Sequence, residues 1–212
     1  MTSRFGKYFS DFSKREIELF RRLSTPKKIQ DFVEEIPVNF DIGNDTCKSP
    51  RQTLRDNKAH CIEGAFFAAA ALWFHGHQPL LLDLKSTEHD FDHVVALFRR
   101  NGFWGAISKT NHAVLRYREP VYKNVRELAM SFFHEYFTDD GKKTLRSFSK
   151  PFNLVQFAKR KWLTSDEDLW YIAEALDDSP HFQILNKSAI ANLRRADPVE
   201  IKAGKIVRWV KK

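Results

Sequence analysis

The sequence is poor in the residues that mark several special classes of protein. Cysteine occurs only twice among 212 residues, at Cys47 and Cys61, which is too few for a disulfide scaffold. Glycine and proline occur eight times each, too rarely for a collagen-like or low-complexity chain. In a reducing compartment the two cysteines should be free thiols, whereas a disulfide between them would require export.

Long apolar runs are lacking as well. No stretch of about 18 apolar residues occurs, and the opening residues MTSRFGKYFSDF contain no hydrophobic run of the kind found in secretion signals. We therefore expect no membrane-spanning segment and a cytoplasmic location. A Gly-rich phosphate loop is also missing, so we expect no nucleotide and no other cofactor.

The remaining composition is that of an ordinary globular protein. With 42% hydrophobic residues the chain can build a core, and its length fits a single domain over residues 1–212. The formal net charge of +8 raises the alternative of nucleic-acid binding. However, most basic residues are scattered among acids, apart from a denser run between Lys202 and Lys212, so we favour solvated surfaces over a nucleic-acid groove.

Hydrophobic periodicity predicts an α+β fold. The expected elements are two amphipathic helices within 14–35, a long loop over 37–58, a buried helix over 61–75, and strands over 79–84, 93–98 and 103–108. Asn101-Gly102 predicts a tight hairpin between the last two strands, because a type I′ turn needs positive φ at both positions. Further helices are expected within 121–136, 154–163 and 166–176, and a small hairpin over 199–207.

Cys61 is the strongest candidate for a chemical role. It lies where the loop ends and the buried helix begins, so unpaired N–H groups and the helix dipole should favour its thiolate. The alternative interpretation is a small buried core thiol. His93 opens a strand two elements later, where an imidazole could meet the sulfur across a helix–sheet interface and act as its base.

Several local patterns around this pair match a known family. They are Cys61 followed by Glu63-Gly64-Ala65, a helix end over 72–76, a strand beginning at Pro79, His93-Val94-Val95, and Gly102-Phe103-Trp104. Over about residues 57–110 the chain thereby resembles the transglutaminase-like branch of the papain-like cysteine-nucleophile superfamily. The resemblance implies a core over about 57–112, in which the helix begun by the nucleophile packs on a small antiparallel sheet, with extra helices at both ends.

The same resemblance implies acyl transfer from an amide or ester through a thioester. The substrate would be a peptide, a protein or a small amide or ester, and either water or an amine would accept the acyl group. The sequence leaves the acceptor and the oligomeric state open.

The third catalytic residue is where the chain departs from this family. The family places an aspartate about four residues after an aromatic such as Trp104, and this chain has Ser108 there. With a tight turn at Asn101-Gly102, Ser108 shares the sheet face of His93. A bulge in the hairpin would bring Asn111 beside His93 instead. Both residues are therefore candidates.

Other roles are more weakly indicated. Asp90 and Asp92 could supply charge beside His93, although an adjacent strand residue normally points to the opposite face. For the oxyanion hole we favour the backbone N–H of Cys61 over the side chain of Gln52. Because Ser108 replaces an acid, an inactive binding module is the alternative function. Histidines at 75, 77, 89 and 93 fit no standard zinc spacing, so we expect no metal site.

Overall fold

The computed structural model describes residues 6–40 and 46–210, and it has an α+β fold with an antiparallel sheet. The α-helices are α1 Lys14–Arg22, α2 Pro26–Glu35, α3 Pro50–Asp56, α4 Cys61–Phe74, α5 Val125–Met130, α6 Trp170–Asp177, α7 Lys187–Ala191 and α8 Pro198–Gly204. The strands are β1 Leu80–Lys85, β2 His93–Arg100, β3 Phe103–Ile107, β4 Arg118–Tyr122, β5 Ser147–Ser149, β6 Phe152–Asn153 and β7 His181–Gln183. Short 3-10 helices cover Gly6–Tyr8, Phe133–Glu135 and Leu154–Arg160.

The sheet is organised around the three predicted strands. Among the described residues its strand order is β4-β3-β2-β1-β5-β7, with β6 also pairing with β1. The hairpin between β2 and β3 is confirmed, because Arg100 pairs with Phe103 and both turn residues have positive φ, 51° at Asn101 and 86° at Gly102. This pairing fixes which side chains share a face of the sheet.

Helix α4 packs on one face of the sheet, as its apolar sequence predicts. Its residues from Glu63 to Trp73 are buried, and it contacts β2 most extensively. A second apolar cluster, which includes Leu82, Val95 and Leu128, covers the opposite face. Gly64 allows a close approach, since a Cβ added there would lie 2.4 Å from the Cβ of Lys109. The N-terminal end of α4 therefore lies against the residues that follow β3.

Two predicted elements were wrong in type. The loop over 37–58 contains α3, which Ser49 and Gln52 begin with a capping box and Pro50 at the first position. The hairpin expected over 199–207 is instead the helix α8, started in the same way by Asp197, Pro198 and Glu200. In α8 cap chemistry outweighs the alternation of apolar residues, and in α3 it starts a helix where the sequence has no sustained period. The helix expected within 121–136 is confirmed as α5, although residues 121–122 belong to β4 and a 3-10 turn follows.

Other predictions for the fold are confirmed or refined. Two amphipathic helices fill residues 14–35, and Ser13 and Thr25 cap them with their side-chain oxygens. Within 154–163, residues Leu154–Arg160 form a 3-10 helix rather than an α-helix, and the helix expected over 166–176 begins at Trp170. In the part of the chain that is described, none of the helices has the length and apolar character needed to cross a bilayer.

Candidate active site

Cys61 is the first residue of α4, and its side chain is partly exposed. The backbone N–H groups of Val94 and Ile62 lie near its sulfur and favour the thiolate. Val94 directly follows His93 in β2 and packs in the cluster around α4, whereas alternation along the strand places His93 with Val95 on the opposite face of the sheet. Helix α4 thus packs on the strand that carries the histidine, and the pairing of Cys61 with His93 stays a prediction. Both cysteines are free thiols as expected.

His93 is buried, and its Nε2 lies 2.8 Å from the Oγ of Ser108. The Ser108 hydroxyl donates its proton to the carbonyl of Leu115, with 2.5 Å between the oxygens. Since that proton is already used, Ser108 Oγ acts as an acceptor toward His93. From this we infer that the neutral imidazole carries its proton on Nε2 and has an unprotonated lone pair on Nδ1.

A single cavity of about 640 Å³ joins the two candidate residues. Cys61 and His93 both line it, together with His60, Lys109, Asn111 and Tyr136. The Tyr136 hydroxyl hydrogen-bonds the carbonyl of Phe91, which holds the loop that leads into β2. The cavity is large enough for a side chain or a short peptide segment to reach the sulfur.

The charge state of the pair differs from the expectation. Burial raises the pKa of the Cys61 thiol, although the N–H groups of Val94 and Ile62 favour the thiolate. Burial, and to a lesser extent the charge of Arg118, lowers the pKa of His93 to about 4. The predicted resting thiolate is therefore wrong: near neutral pH the site holds a neutral thiol and a neutral imidazole.

The buried neutral histidine predicts an acid-dependent loss of stability. The pKa of His93 falls from 6.5 in the unfolded chain to about 4 in the fold, so the unfolded state binds the extra proton between these values. Acidification through this window should lower the unfolding free energy of the wild type by about 3 kcal/mol. His93→Gln lacks this titrating group and should not show this loss. Urea titrations of both proteins from pH 7 to pH 4 measure the difference.

The comparison with the variant isolates this effect from opposing titrations. Asp83 has its pKa raised to about 6, chiefly by burial, so its contribution to stability increases on acidification in both proteins and cancels in the difference. A constant difference between wild type and variant across the pH range would contradict the assignment of His93 as buried and neutral.

The Leu115 carbonyl makes a serine well suited to position 108. Leu115 has a positive φ of 59°, and its carbonyl oxygen lies 2.5 Å from the Ser108 hydroxyl. A hydroxyl satisfies both neighbours, because it accepts from His93 and donates to Leu115. An ionised carboxylate can only accept, so it would face the carbonyl oxygen without a proton between them.

We therefore predict that Ser108→Asp does not improve the site. An acid at position 108 should destabilise the protein by about 1–3 kcal/mol, because a buried acceptor would face the Leu115 carbonyl. Ser108→Ala removes the acceptor of the His93 proton and should cost a similar amount. Thermal unfolding at pH 7 measures both variants. A Ser108→Asp protein as stable as wild type would show that the loop around Leu115 adapts to the carboxylate.

The other candidate residues lie elsewhere. The Asn111 amide bonds the backbone of Trp209, not the His93 ring, and the β2–β3 hairpin has no bulge that would turn it inward. The Asp92 carboxylate accepts from Ser86, and that of Asp90 accepts from Thr144. Ser108 is thus the predicted third residue that contacts His93.

Gln52 is also removed from the sulfur. Its side chain accepts from the N–H of Ser49 and donates to the carbonyl of Asp166. The residue is buried as part of the α3 cap, so neither a role at Cys61 nor a solvated loop position fits it.

Comparisons with known proteins do not assign the chain. No protein-family model matches it, and no curated protein matches its sequence. The interpretation of the site therefore depends on its geometry.

Two residues for which the sequence predicted no role at the site hold this geometry. Gln30 on α2 donates to the Ser108 carbonyl and accepts from the Ser108 N–H, each at 2.9 Å. Glu63 is fully buried in the first turn of α4 and accepts from the N–H of His60 at 2.7 Å. A glutamate at the third helical position is a capping signal that the sequence offered, whereas nothing in the sequence pairs Gln30 with Ser108.

Three carboxylates are placed where a cation could bind. Asp83, Asp92 and Asp177 each have an oxygen within 4.8 Å of the others. Asp83 also contacts His181 Nε2 at 3.1 Å, and Asp177 contacts the ammonium of Lys85. The Lys85 ammonium already offsets part of the charge. Among the described residues, these three form one group of side chains that could hold a metal ion. The predicted absence of a metal site stays a prediction.

Proposed function

We propose that the protein is a cysteine-nucleophile acyl-transfer enzyme with a papain-like, transglutaminase-like arrangement of its site. The observation that carries this proposal is the cavity that both Cys61 and His93 line, with His93 Nε2 held 2.8 Å from Ser108 Oγ. In this mechanism Cys61 is the nucleophile, Nδ1 of His93 is the base and Ser108 orients the ring. The mechanism requires His93 to bring Nδ1 to the sulfur at the start of α4.

The neutral pair favours general-base catalysis over attack by a preformed thiolate. As the Cys61 sulfur forms a bond with the substrate carbonyl carbon, its proton passes to Nδ1 of His93. The tetrahedral intermediate then collapses, the bond to the leaving amine or alcohol breaks, and His93 returns the proton to that leaving group. The product of this half-reaction is an acyl thioester on Cys61.

The second half-reaction reverses these roles. His93 removes a proton from water or an amine as that acceptor attacks the thioester, and it then protonates the departing sulfur. Water as acceptor gives a carboxylic acid, and an amine gives a new amide. The backbone N–H of Cys61, which has no intrahelical acceptor at the first position of α4, is suited to hold the oxyanion.

A model ester tests the proposal. Wild-type protein incubated with p-nitrophenyl acetate should acquire one acetyl group on Cys61, detected by peptide mass spectrometry and removed by hydroxylamine. Cys47 serves as the internal control, because burial raises the pKa of this thiol. Comparing release of the acetyl group with and without a primary amine then separates an acyltransferase from a hydrolase.

Two observations favour a second candidate function, that of an inactive binding module. Burial raises the pKa of the Cys61 thiol, and the residue that orients His93 is a neutral serine. Under this alternative, the acetyl group would fail to appear on Cys61 even at prolonged reaction times.

A further inference from the structure

Residues 206–209, here called the tail segment, pair with residues 111–113, here called the 111–113 edge. The N–H of Ala113 donates to the carbonyl of Ile206, and the N–H of Arg208 donates to the carbonyl of Asn111, each at 2.9 Å. His112 and Val207 form an antiparallel bridge between these bonds. The tail segment therefore lies on the edge as an added β-strand would.

The side chain of Asn111 binds the backbone of Trp209 in the tail segment. Its Oδ1 accepts from the N–H of Trp209 at 2.8 Å, and its Nδ2 donates to the Trp209 carbonyl at 2.9 Å. Both bonds go to main-chain groups, which every non-proline residue has. This side chain therefore recognises an extended backbone rather than a particular residue type.

Charge adds selectivity one position earlier. The Arg208 guanidinium lies 2.6 Å from a carboxylate oxygen of Glu35 and 3.2 Å from one of Glu34, both on α2. By contrast, Ile206 in the tail segment and Val210, which directly follows it, are 61% and 71% exposed. Main-chain bonds and one basic residue thus provide much of the attachment, and another extended peptide could supply the same contacts.

The edge borders the candidate active site. Asn111 and His112 line the same cavity as Cys61 and His93, and Gly204 and Lys205, which lead into the tail segment, line it too. A peptide bound along the edge would follow one wall of the cavity that Cys61 also lines.

We propose that the 111–113 edge binds an extended peptide segment of the substrate, with a basic residue just before the residue held by Asn111, and that the tail segment occupies this site in the free protein. The proposal depends on the proposed function only for the role of the peptide as acyl donor. Peptide binding itself is independent of chemistry at Cys61.

Fluorescence anisotropy with a labelled KIVRWV peptide tests the proposal. In the wild type the tail segment competes at an effective concentration on the order of millimolar, which masks the site. Trp209→Pro removes the N–H that Asn111 accepts, and Arg208→Glu replaces attraction to Glu34 and Glu35 by repulsion. Each variant should bind the peptide about tenfold or more tightly than wild type, because the competitor is weakened.

Two controls make the outcome specific. The first control is Val210→Pro, which should bind the peptide like wild type. It introduces a proline in the same stretch, at a residue whose N–H has no acceptor within the described chain. Adding Asn111→Ala to Trp209→Pro should weaken binding about tenfold. The proposal would be overturned if wild type, Trp209→Pro and Arg208→Glu bound the peptide equally. It would also be overturned if tight binding survived Asn111→Ala.

The two proposals fail separately. Acetylation of Cys61 without peptide binding would refute the peptide site alone. Peptide binding that depends on Asn111 without any acetylation of Cys61 would refute the acyl-transfer function alone.

Discussion

His93→Gln should slow acylation of Cys61 by about 10²- to 10⁴-fold, the usual range for removal of a general base. Glutamine keeps a polar side chain that can reach Ser108, but it offers no lone pair of comparable basicity to the sulfur. The effect should be large because the resting thiol is neutral and needs a base at the moment of attack. The measurement is the rate of the p-nitrophenolate burst with p-nitrophenyl acetate at pH 7.5.

His89→Gln is the matched control for this variant. His89 lines the same cavity, but its side chain is 81% exposed and contacts Glu88 at 3.4 Å. It should therefore leave the burst unchanged. If His93→Gln acylated Cys61 at the wild-type rate, another group would have to be the base, and the assigned mechanism would be wrong.

Glu63→Ala should cause the largest loss of stability. The fully buried carboxylate accepts from the N–H of His60, the N–H of Lys48 and the hydroxyl of Thr46. Removing it leaves one buried and two partly buried donors without their acceptor, so we expect a total loss of about 3 kcal/mol. Urea unfolding at pH 7 measures this loss.

Glu200→Ala provides the control for the helix cap itself. Glu200 holds the same third helical position in α8 and accepts from the N–H of Asp197 at 2.7 Å. Its side chain is 39% exposed, so water can replace the lost acceptor and the decrease should be much smaller. Similar losses for the two variants would mean that Glu63 acts only as an ordinary cap.

The sequence predicts the parts of the site that depend on local patterns. Apolar residues on all sides identify α4, and the Asn101-Gly102 turn fixes the register that places Ser108 on the face of His93. Both signals operate within a few residues, where spacing and turn chemistry determine the structure.

The remaining contacts of the site depend on residues that are distant in the chain. Gln30 contacts Ser108 across 78 positions, and Asn111 contacts Trp209 across 98. No periodicity encodes such contacts, because packing brings the segments together. Burial has the same origin, and it is what keeps Cys61 and His93 neutral although the helix start alone predicted a thiolate.

Nitrogen NMR of histidine-labelled protein reports the protonation of His93. At pH 7 we expect a neutral imidazole with its proton on Nε2 and an unprotonated Nδ1, and we expect alkylation of Cys61 to shift the Nδ1 resonance. A proton on Nδ1 in the free protein, or an Nδ1 resonance that does not respond to modification of Cys61, would rule out His93 as the base.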